Sequence, residues 1–560
     1  MAGLHKIIVG LDFGTTYSAL AWASTNLPGQ INLIGNWPSA GILTHHSAPT
    51  EIAYHEGGTT DFSWGYDIPR TVRRLKWFKL LLESNDEHVQ SGMPLPPGMT
   101  AMDVTRDFFS ALYQHAMSTL WKQNGEAVMS MTRVDFVLTV PAVWSDTAKQ
   151  RTREAAIAAG MLNEHNLSLL SEPEAAAIYT IKNQDRNAIN VHDKIVVCDA
   201  GGGTVDLISY TVLSINPLKV TECAVGTGDF CGSTYIDRNF EKLLQQRLGS
   251  HYNTLRVETQ QRIVKNFEEV KCAFRDKPDQ SLYHVNVPTV DTIQEAGIYS
   301  GEFQLTREEM RGLFDPVIDQ IMILISSQIQ SISREGSNVN SVLLVGGFGE
   351  SPYLFQRLEA WCRQWGISAI SPHGAATAVV KGAVLRGLEP SLPLQVSTVV
   401  RRARRHYGTP MSTLFIPGQH GERDAYTDPI TGRKMARNQV SWFLAKGEPI
   451  TDDRRITKNF CRSFRKYSGP WVDSMVACDL DSPPSRVTQD VKHVCNISAD
   501  LSTVRKSCYE KKWKNWRRFY VARYNLDLTI SSGDMKFELI FRGASFGVSL
   551  APFLFSVALR

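Results

Sequence analysis

Short apolar runs and apolar residues at helical spacing alternate along the first two thirds of the chain. Lys6–Val9 with Leu11 is short and apolar and stops at Asp12-Phe13-Gly14-Thr15-Thr16, which predicts a strand entering a tight turn. From Asp103 to Gln123, Val104, Phe108, Leu112 and Leu120 share one face, predicting a helix that Asp103 can cap. Val134–Val140 predicts a strand stopped by Pro141. Ser145 then caps a helix running through Ala155–Ala159 to Gly160. Ile195–Cys198 and Val205–Val212 predict buried strands joined by Asp-Ala-Gly-Gly-Gly-Thr. Thr306 and Glu309 form a capping box ahead of Met310, Leu313, Phe314, Val317 and Ile321 at helical spacing. Val342–Val345 predicts a strand that passes through Gly346-Gly347-Phe348-Gly349 into a helix opened by Ser351, with Pro352 at its first position. Strands alternating with helices predict an α/β fold. Past Leu388-Glu389-Pro390 the helical period fades, and Leu526–Ile530 and Met535–Phe541 read as strands, so a smaller β-rich region is expected there.

A chain of 560 residues, 43% hydrophobic and 21% charged, is long enough for several domains and can bury a core without disulfides or metal. Its nine cysteines are odd in number and lack any Cys-x-x-Cys, which fits a reducing compartment. The N-terminus reads as a strand, not a signal peptide, and the apolar stretch Phe546–Leu559 is broken by Pro552 and falls short of the ~20 residues of a spanning helix. A cytoplasmic protein without a transmembrane segment is expected, with the nucleus also open to it. The net charge of +4 divides unevenly: from residue 391 onward 28 Lys and Arg face 15 Asp and Glu, a charge of +13, against −9 for residues 1–390. An ordinary basic surface and a site for acidic partners both fit that half. No RNA-binding aromatic signature or zinc-finger spacing marks a clear nucleic-acid site. KKWKNWRRF (511–519) mixes aromatic and cationic residues as nucleic-acid and membrane-surface sites do.

The chemistry concentrates in two similar units, Asp12-Phe13-Gly14-Thr15-Thr16 and Asp199-Ala200-Gly201-Gly202-Gly203-Thr204. In each, an Asp ends an apolar strand and a Gly/Thr turn follows. Glycine allows close backbone approach, successive N–H groups make an anion-binding concavity, and threonine hydroxyls add donors. An Asp beside each turn suits Mg²⁺, directly or through water. Two such turns facing each other would clasp a polyphosphate. A glycine-rich hairpin is the plain reading of either turn alone. The third junction, 346–349, is neither a Walker A loop nor a full G-x-G-x-x-G fingerprint, and suits a flat base and ribose.

The stretches GLDFGTTYSAL (10–20), VPAVWSD (140–146), LSEPEAAAIY (170–179), VVCDAGGGTVDLISY (196–210), GTGDFCGSTYID (226–237), FEEVKCAF (267–274), LLVGGFGESPYL (343–354) and AVVKGAV (378–384) follow one another in the order of the seventy-kilodalton heat-shock (DnaK-type) chaperone family. The chain resembles that family's divergent branch lacking the standard peptide-binding domain, within the actin-like ATPase superfamily. The resemblance implies an actin-like ATPase fold of two related lobes around a nucleotide cleft over residues 1–390, and a divergent C-terminal domain over 391–560. It implies ATP/ADP and Mg²⁺ as ligands. Gly14, Thr15, Thr16 and Tyr17 look like the first phosphate loop, and Gly201, Gly202, Gly203 and Thr204 like the second. Asp12 and Asp199 are placed at the metal, and Glu172 at the metal and attacking water. Glu268 and Lys271 resemble the helix packing on adenosine, and Gly346, Gly347 and Gly349 the opposite wall. Phe348 stacks near the base or fills a gap. The family's catalytic lysine falls in TVRRLKWFKLLL, where Arg73, Lys76 and Lys79 are candidates. Arg73 matches the wording best, and Lys79 is the preferred lysine. The family's acidic-leucine linker is replaced by VVRRARRHYG (399–408), whose Arg401, Arg402, Arg404 and Arg405 read as a solvated basic turn or a partner patch.

The expected function is a Mg-dependent ATP hydrolase of chaperone type, in which nucleotide state switches binding of client or partner proteins. A non-hydrolysing nucleotide-binding scaffold is the alternative. A small-molecule kinase shares the fold, but EPEAAAIY and VPAVWSD carry chaperone wording.

Overall fold

The strand β1 (Lys6–Phe13) is buried almost throughout, as a strand covered on both faces should be. It pairs antiparallel with β2 (Tyr17–Ser24), which pairs with β3 (Asn32–Leu33), and parallel with β4 (Arg133–Val140), which pairs parallel with β5 (Leu167–Ser171). The same plan is built a second time. β6 (Lys194–Ala200) pairs antiparallel with β7 (Val205–Ile215), which pairs with β8 (Leu218–Asp229). On its other side β6 is parallel to β9 (Ser341–Val345), itself parallel to β10 (Ser368–Ile370). Two lobes with one topology therefore make up a unit that spans Met1–Thr398. This computed structural model describes residues 5–39, 45–55, 61–69, 72–83, 95–142, 144–161, 167–183, 188–287, 292–389, 398–451, 454–467, 469–530 and 534–552.

Helices cover the sheets, and their ends are set locally. α1 (Ala101–Asn124) starts at Thr100, not at Asp103. Thr100 Oγ1 accepts from the Asp103 N–H at 3.2 Å, and Asp103 Oδ2 accepts from the Thr100 N–H at 2.9 Å. Asp103 is the third-position partner of a capping box, which its short acidic side chain serves as well as a cap. α2 (Asp146–Ala158) is capped by Ser145, and α3 (Glu172–Asn183) opens directly on Glu172-Pro173. In the second lobe come α4 (Thr234–Leu248), α5 (Val257–Ala273), α6 (Arg307–Arg334) with its Thr306/Glu309 capping box, and α7 (Pro352–Gln364) capped by Ser351. Its core joins Phe240, Phe267, Phe314, Ile321 and Leu344.

α8 (Ala378–Leu388) packs on α3 and on β1. The approach is close because Gly382 has no side chain: a Cβ there would lie 1.8 Å from the Ala175 carbonyl oxygen. None of the nine cysteines forms a disulfide.

The second unit, Val399–Ala558, is built from antiparallel strands, and among its described residues there is no α-helix. One sheet contains β11 (His406–Leu414), β12 (Ala425–Thr427), β13 (Lys434–Leu444), β15 (Trp471–Cys478) and β16 (Val491–Ala499), in the order β12-β13-β11-β15-β16. The other contains β14 (Arg454–Phe464), β17 (Glu510–Lys514), β18 (Arg517–Ile530), β19 (Asp534–Phe541) and β20 (Ala544–Pro552). Trp471 of the first sheet meets Phe464 and Tyr524 of the second at ring separations of 5.6 and 5.9 Å. The arginine run is not the solvated turn or partner patch expected of it: Arg401 and Arg404 are buried, and Arg405 is ion-paired with Asp479. Strand pairing of Arg401 with Ile450 draws this segment into the sheet backbone. Residues 553–560, including the end of the last apolar stretch, lie outside the described residues.

Replacing Gly382 with alanine should destabilise the first unit by about 3 kcal/mol, because overpacking against a backbone carbonyl outweighs alanine's helix propensity of about 1 kcal/mol. Urea unfolding of the variant checks this, and an unchanged midpoint would mean that α3 and α8 separate freely.

Candidate functional site

Both glycine turns sit at the carboxyl ends of their parallel strands, where ligands bind in open α/β sheets. In the first, a Cβ on Gly14 would fall 2.0 Å from the Tyr17 carbonyl oxygen, so only glycine closes the turn. Thr50 braces it, donating from its hydroxyl to the Gly14 carbonyl at 2.8 Å and from its N–H to the Thr16 carbonyl at 2.8 Å. In the second turn the carbonyls of Gly201, Gly202 and Gly203 accept from the N–H groups of Ser233, Thr234 and Gly232 at the start of α4. What that turn can offer a ligand is therefore donors, the polarity that suits an anion. The turns face each other closely: a Cβ on Gly202 would lie 2.4 Å from Thr16 Oγ1, and one on Gly203 2.5 Å from Thr15 Oγ1.

The turns open into a cleft of about 770 Å³. Asp12, Lys79, Glu172 and Asp199 share its floor. Lys79 lies in a 3₁₀ turn, Phe78–Leu82, entered through Trp77 at φ 59°. That reversal carries its ammonium inward until only 2% of the residue is exposed. There Nζ donates to Glu172 Oε1 at 2.9 Å and lies 5.5 and 5.2 Å from the Phe13 and Trp144 ring centres. Arg73, by contrast, faces a separate pocket with Trp77 and Gln260, and Lys76 pairs with Glu51 at 3.4 Å near the cleft's rim. Of the three candidates, Lys79 is the one held among the carboxylates.

Burial pushes the Asp12 carboxyl up to about 7, and the Glu172 charge adds to the rise. Lys79 and a hydrogen bond from Thr139 Oγ1 at 3.1 Å pull it down. Asp199 is raised well above the carboxylate range by burial first, then by Glu172, Asp12 and Asp206. One ammonium does not balance this group, so a further cation is favoured. Among the described residues no three acidic, His or Cys side chains stand at spacing for a direct metal cage. The donor set instead fits Mg²⁺, which keeps several waters and takes phosphate oxygens plus one or two carboxylates. Asp12 and Asp199 are the aspartates that line this floor.

The outer cleft is lined on one side by Gly346, Gly347, Ala376 and Val379 and on the other by α5 with Glu268, Glu269 and Cys272. Gly346 has φ 86°, and a Cβ there would strike Asp199 Oδ1 at 2.3 Å. A Cβ on Gly347 would meet nothing within 4 Å, leaving open space for a flat group. Glu268 reaches the Tyr17 hydroxyl, whose titration burial, and then Glu268, push up. Three expected wall residues lie elsewhere. Lys271 turns into the interior of the lobe, its Nζ 2.7 and 2.9 Å from the Asp237 carboxylate oxygens, because a buried ammonium follows its counter-charge. Phe348 joins the second lobe's core, so it fills a gap instead of stacking in the cleft. Gly349 packs against Leu344. Sequence reasoning assigned no role to Thr139, Trp144, Arg74, His45 or Tyr66, all at or beside the cleft. Trp144 stands in the VPAVWSD stretch, and that was the signal available for it.

Fold and site together define an ATP-binding protein of chaperone-like type. The chain belongs to the Hsp70 family: residues 107–400 match the family described as Hsp70 protein. It is 24% identical over 548 residues to heat shock 70 kDa protein 12B of Homo sapiens, covering 81% of this chain and 78% of that protein. It is 26% identical over 511 residues to heat shock 70 kDa protein 12A of Homo sapiens, covering 74% and 73%. A chaperone protein HscA homolog of Vibrio cholerae is 26% identical over 501 residues, covering 84% and 72%.

The native state of the metal-free protein binds a proton at Asp12 up to about pH 7, whereas the unfolded chain releases it near 3.8. Between those values the folded form holds more protons, so this residue's contribution to stability falls as pH rises. Asp12→Asn should therefore gain stability over wild type on the order of 3 kcal/mol more at pH 7.5 than at pH 4.5. Denaturant melts in EDTA check this, and a pH-independent difference would contradict it.

Proposed function

We propose that the chain hydrolyses ATP in the cleft of a nucleotide-binding domain formed by residues 1–390. We further propose that the nucleotide state switches how a divergent C-terminal domain, residues 391–560, binds client or partner proteins in the cytoplasm. The observation that carries this reading is the Lys79–Glu172 pair, buried on the cleft floor between Asp12 and Asp199 and below two opposed Gly/Thr turns.

Phosphoryl transfer to water asks a protein mainly for position and charge. The N–H and hydroxyl donors of Thr15, Thr16, Gly202 and Thr204 bind phosphate oxygens. Lys79 brings a fixed positive charge to the transferring group, held in place by Glu172 and by the rings of Phe13 and Trp144. Glu172 orients the attacking water with its second oxygen. Asp12 and Asp199 hold Mg²⁺, which when bound supplies neutralisation of phosphate charge. Glu268 and the open face at Gly347 receive the nucleoside. Because the two lobes meet at the turns, ATP and ADP favour different lobe angles and hence different partner affinities.

Single-turnover hydrolysis of labelled ATP, beside calorimetric binding, tests the reading. Lys79→Met should slow hydrolysis by about 100-fold or more while binding changes little, as when one preorganised charge is removed from a transition state. Arg73→Ala should leave hydrolysis within about twofold, and Lys76→Ala should act on binding alone. Tight ATP binding by the wild type without turnover would leave a nucleotide-dependent scaffold and sink the enzymatic claim.

A further inference from the structure

β17 and β18 form a hairpin in which Lys514 stands opposite Arg517 and Trp513 opposite Arg518, leaving Asn515-Trp516 as a two-residue turn. Both turn residues have positive φ, 47° and 62°. A two-residue hairpin turn of this hand requires that conformation, and the second place is usually glycine. Asparagine tolerates it, whereas a bulky side chain there is strained. The residue in the strained place is a tryptophan, and it is 97% exposed. Trp513, three residues earlier, is 68% exposed. Two indoles held in water, one of them at a backbone cost, gain nothing for the folded monomer.

Cations surround them. Lys511, Arg517 and Arg518 are exposed, and Lys512 and Lys514 are half-buried. Lys512 pairs with Glu510 at 3.1 Å, and Lys514 donates to the Thr431 carbonyl at 2.6 Å. Lys514 thereby ties the hairpin to the 431 turn, while Arg517 and Arg518 follow Trp516 directly and Arg518, opposite Trp513, lies 5.5 Å over the Tyr520 ring. The complement of such an end is an anionic surface. Single-stranded nucleic acid is met on platforms or grooves along which successive bases stack. Trp516 instead projects from the apex of a turn. An indole flanked by Lys and Arg stems is the arrangement that sits at a bilayer interface, ring among headgroups and cations at phosphates.

We propose that the hairpin tip at 511–518 docks on membrane surfaces carrying anionic phospholipid. Trp513 and Trp516 enter the headgroup layer, and Lys511, Arg517 and Arg518 meet the phosphates.

Flotation of the full chain with vesicles of phosphatidylcholine alone, or with about one third phosphatidylserine, tests this. Binding to the anionic vesicles is expected, weakening in about 0.5 M salt. Trp513→Ala with Trp516→Ala should reduce it about tenfold or more. Lys511→Glu with Arg518→Glu should cost at least about 25-fold, at roughly fivefold per cation. Thermal unfolding of each variant shows whether the domain remains folded, and Trp516→Gly, which relieves the turn, gives a variant that folds as well as wild type and still loses binding. Absence of wild-type binding, or partition unchanged by loss of the indoles, would overturn the proposal. So would binding of a single-stranded oligonucleotide, in place of vesicles, that the same substitutions abolish.

Discussion

A single buried ammonium holds the cleft floor together. Lys79 is nearly inaccessible to water, yet it stands among Asp12, Glu172 and Asp199. Removing one partner of a buried ion pair costs about 3–5 kcal/mol, because the other charge is left without compensation. The pair is nonetheless short of balancing the site, since burial and mutual repulsion raise both aspartates. A floor deficient in positive charge favours the arrival of a further cation. Phe13 and Trp144 serve the same end: two rings about 5 Å from Nζ restrict the lysine's conformers where a water shell would free them.

Steric exclusion at glycine sets the rest of the geometry. The two lobes repeat one topology, so the ends of β1 and β6 bring equivalent turns to the same place. They can meet because the second turn carries no side chains where the threonines of the first stand. Gly346 does the same for Asp199, whose carboxylate occupies the space a Cβ would need. Each glycine at these positions therefore acts on a partner distant in sequence, and its loss would move a side chain of the cleft without touching it chemically.

Much of this was legible in the sequence, for a physical reason. The strand–turn–strand units and the Thr306/Glu309 and Ser351 caps are local, made by residues within a few positions of each other. Local signals also placed the α/β alternation and the β-rich end. What failed was non-local. Lys271 and Phe348 sit in stretches with the right wording, but their side chains answer to Asp237 and to the second lobe's core, which no nearby residue reveals. Arg401 and Arg404 read as a surface run because four arginines in five positions are normally solvated, and strand pairing with a segment some fifty residues later draws the run inward. Lys79 was already the preferred lysine in the sequence, and what sets it apart physically from Arg73 and Lys76 is the left-handed Trp77 that reverses the chain just before it.

The displaced Lys271 changes how the two ends of the cleft must work. With its ammonium committed to Asp237, Lys271 is withdrawn from the cleft, and α5 lines it with Arg262 and Lys265 as well as Glu268, Glu269 and Cys272. Glu268 is itself engaged with Tyr17 across the lobes. The buried ammonium of Lys79 and the two Gly/Thr turns lie at the inner end, while Arg262 and Lys265 of α5 also line the cleft. On the proposed function, the phosphate chain of a nucleotide meets the turns and Lys79, and its base meets the face between α5 and Gly347. Only interactions that differ between two ligand states can shift a conformational equilibrium, so under the proposed switch the contacts to the phosphate that is lost must be the ones that set the angle between lobes.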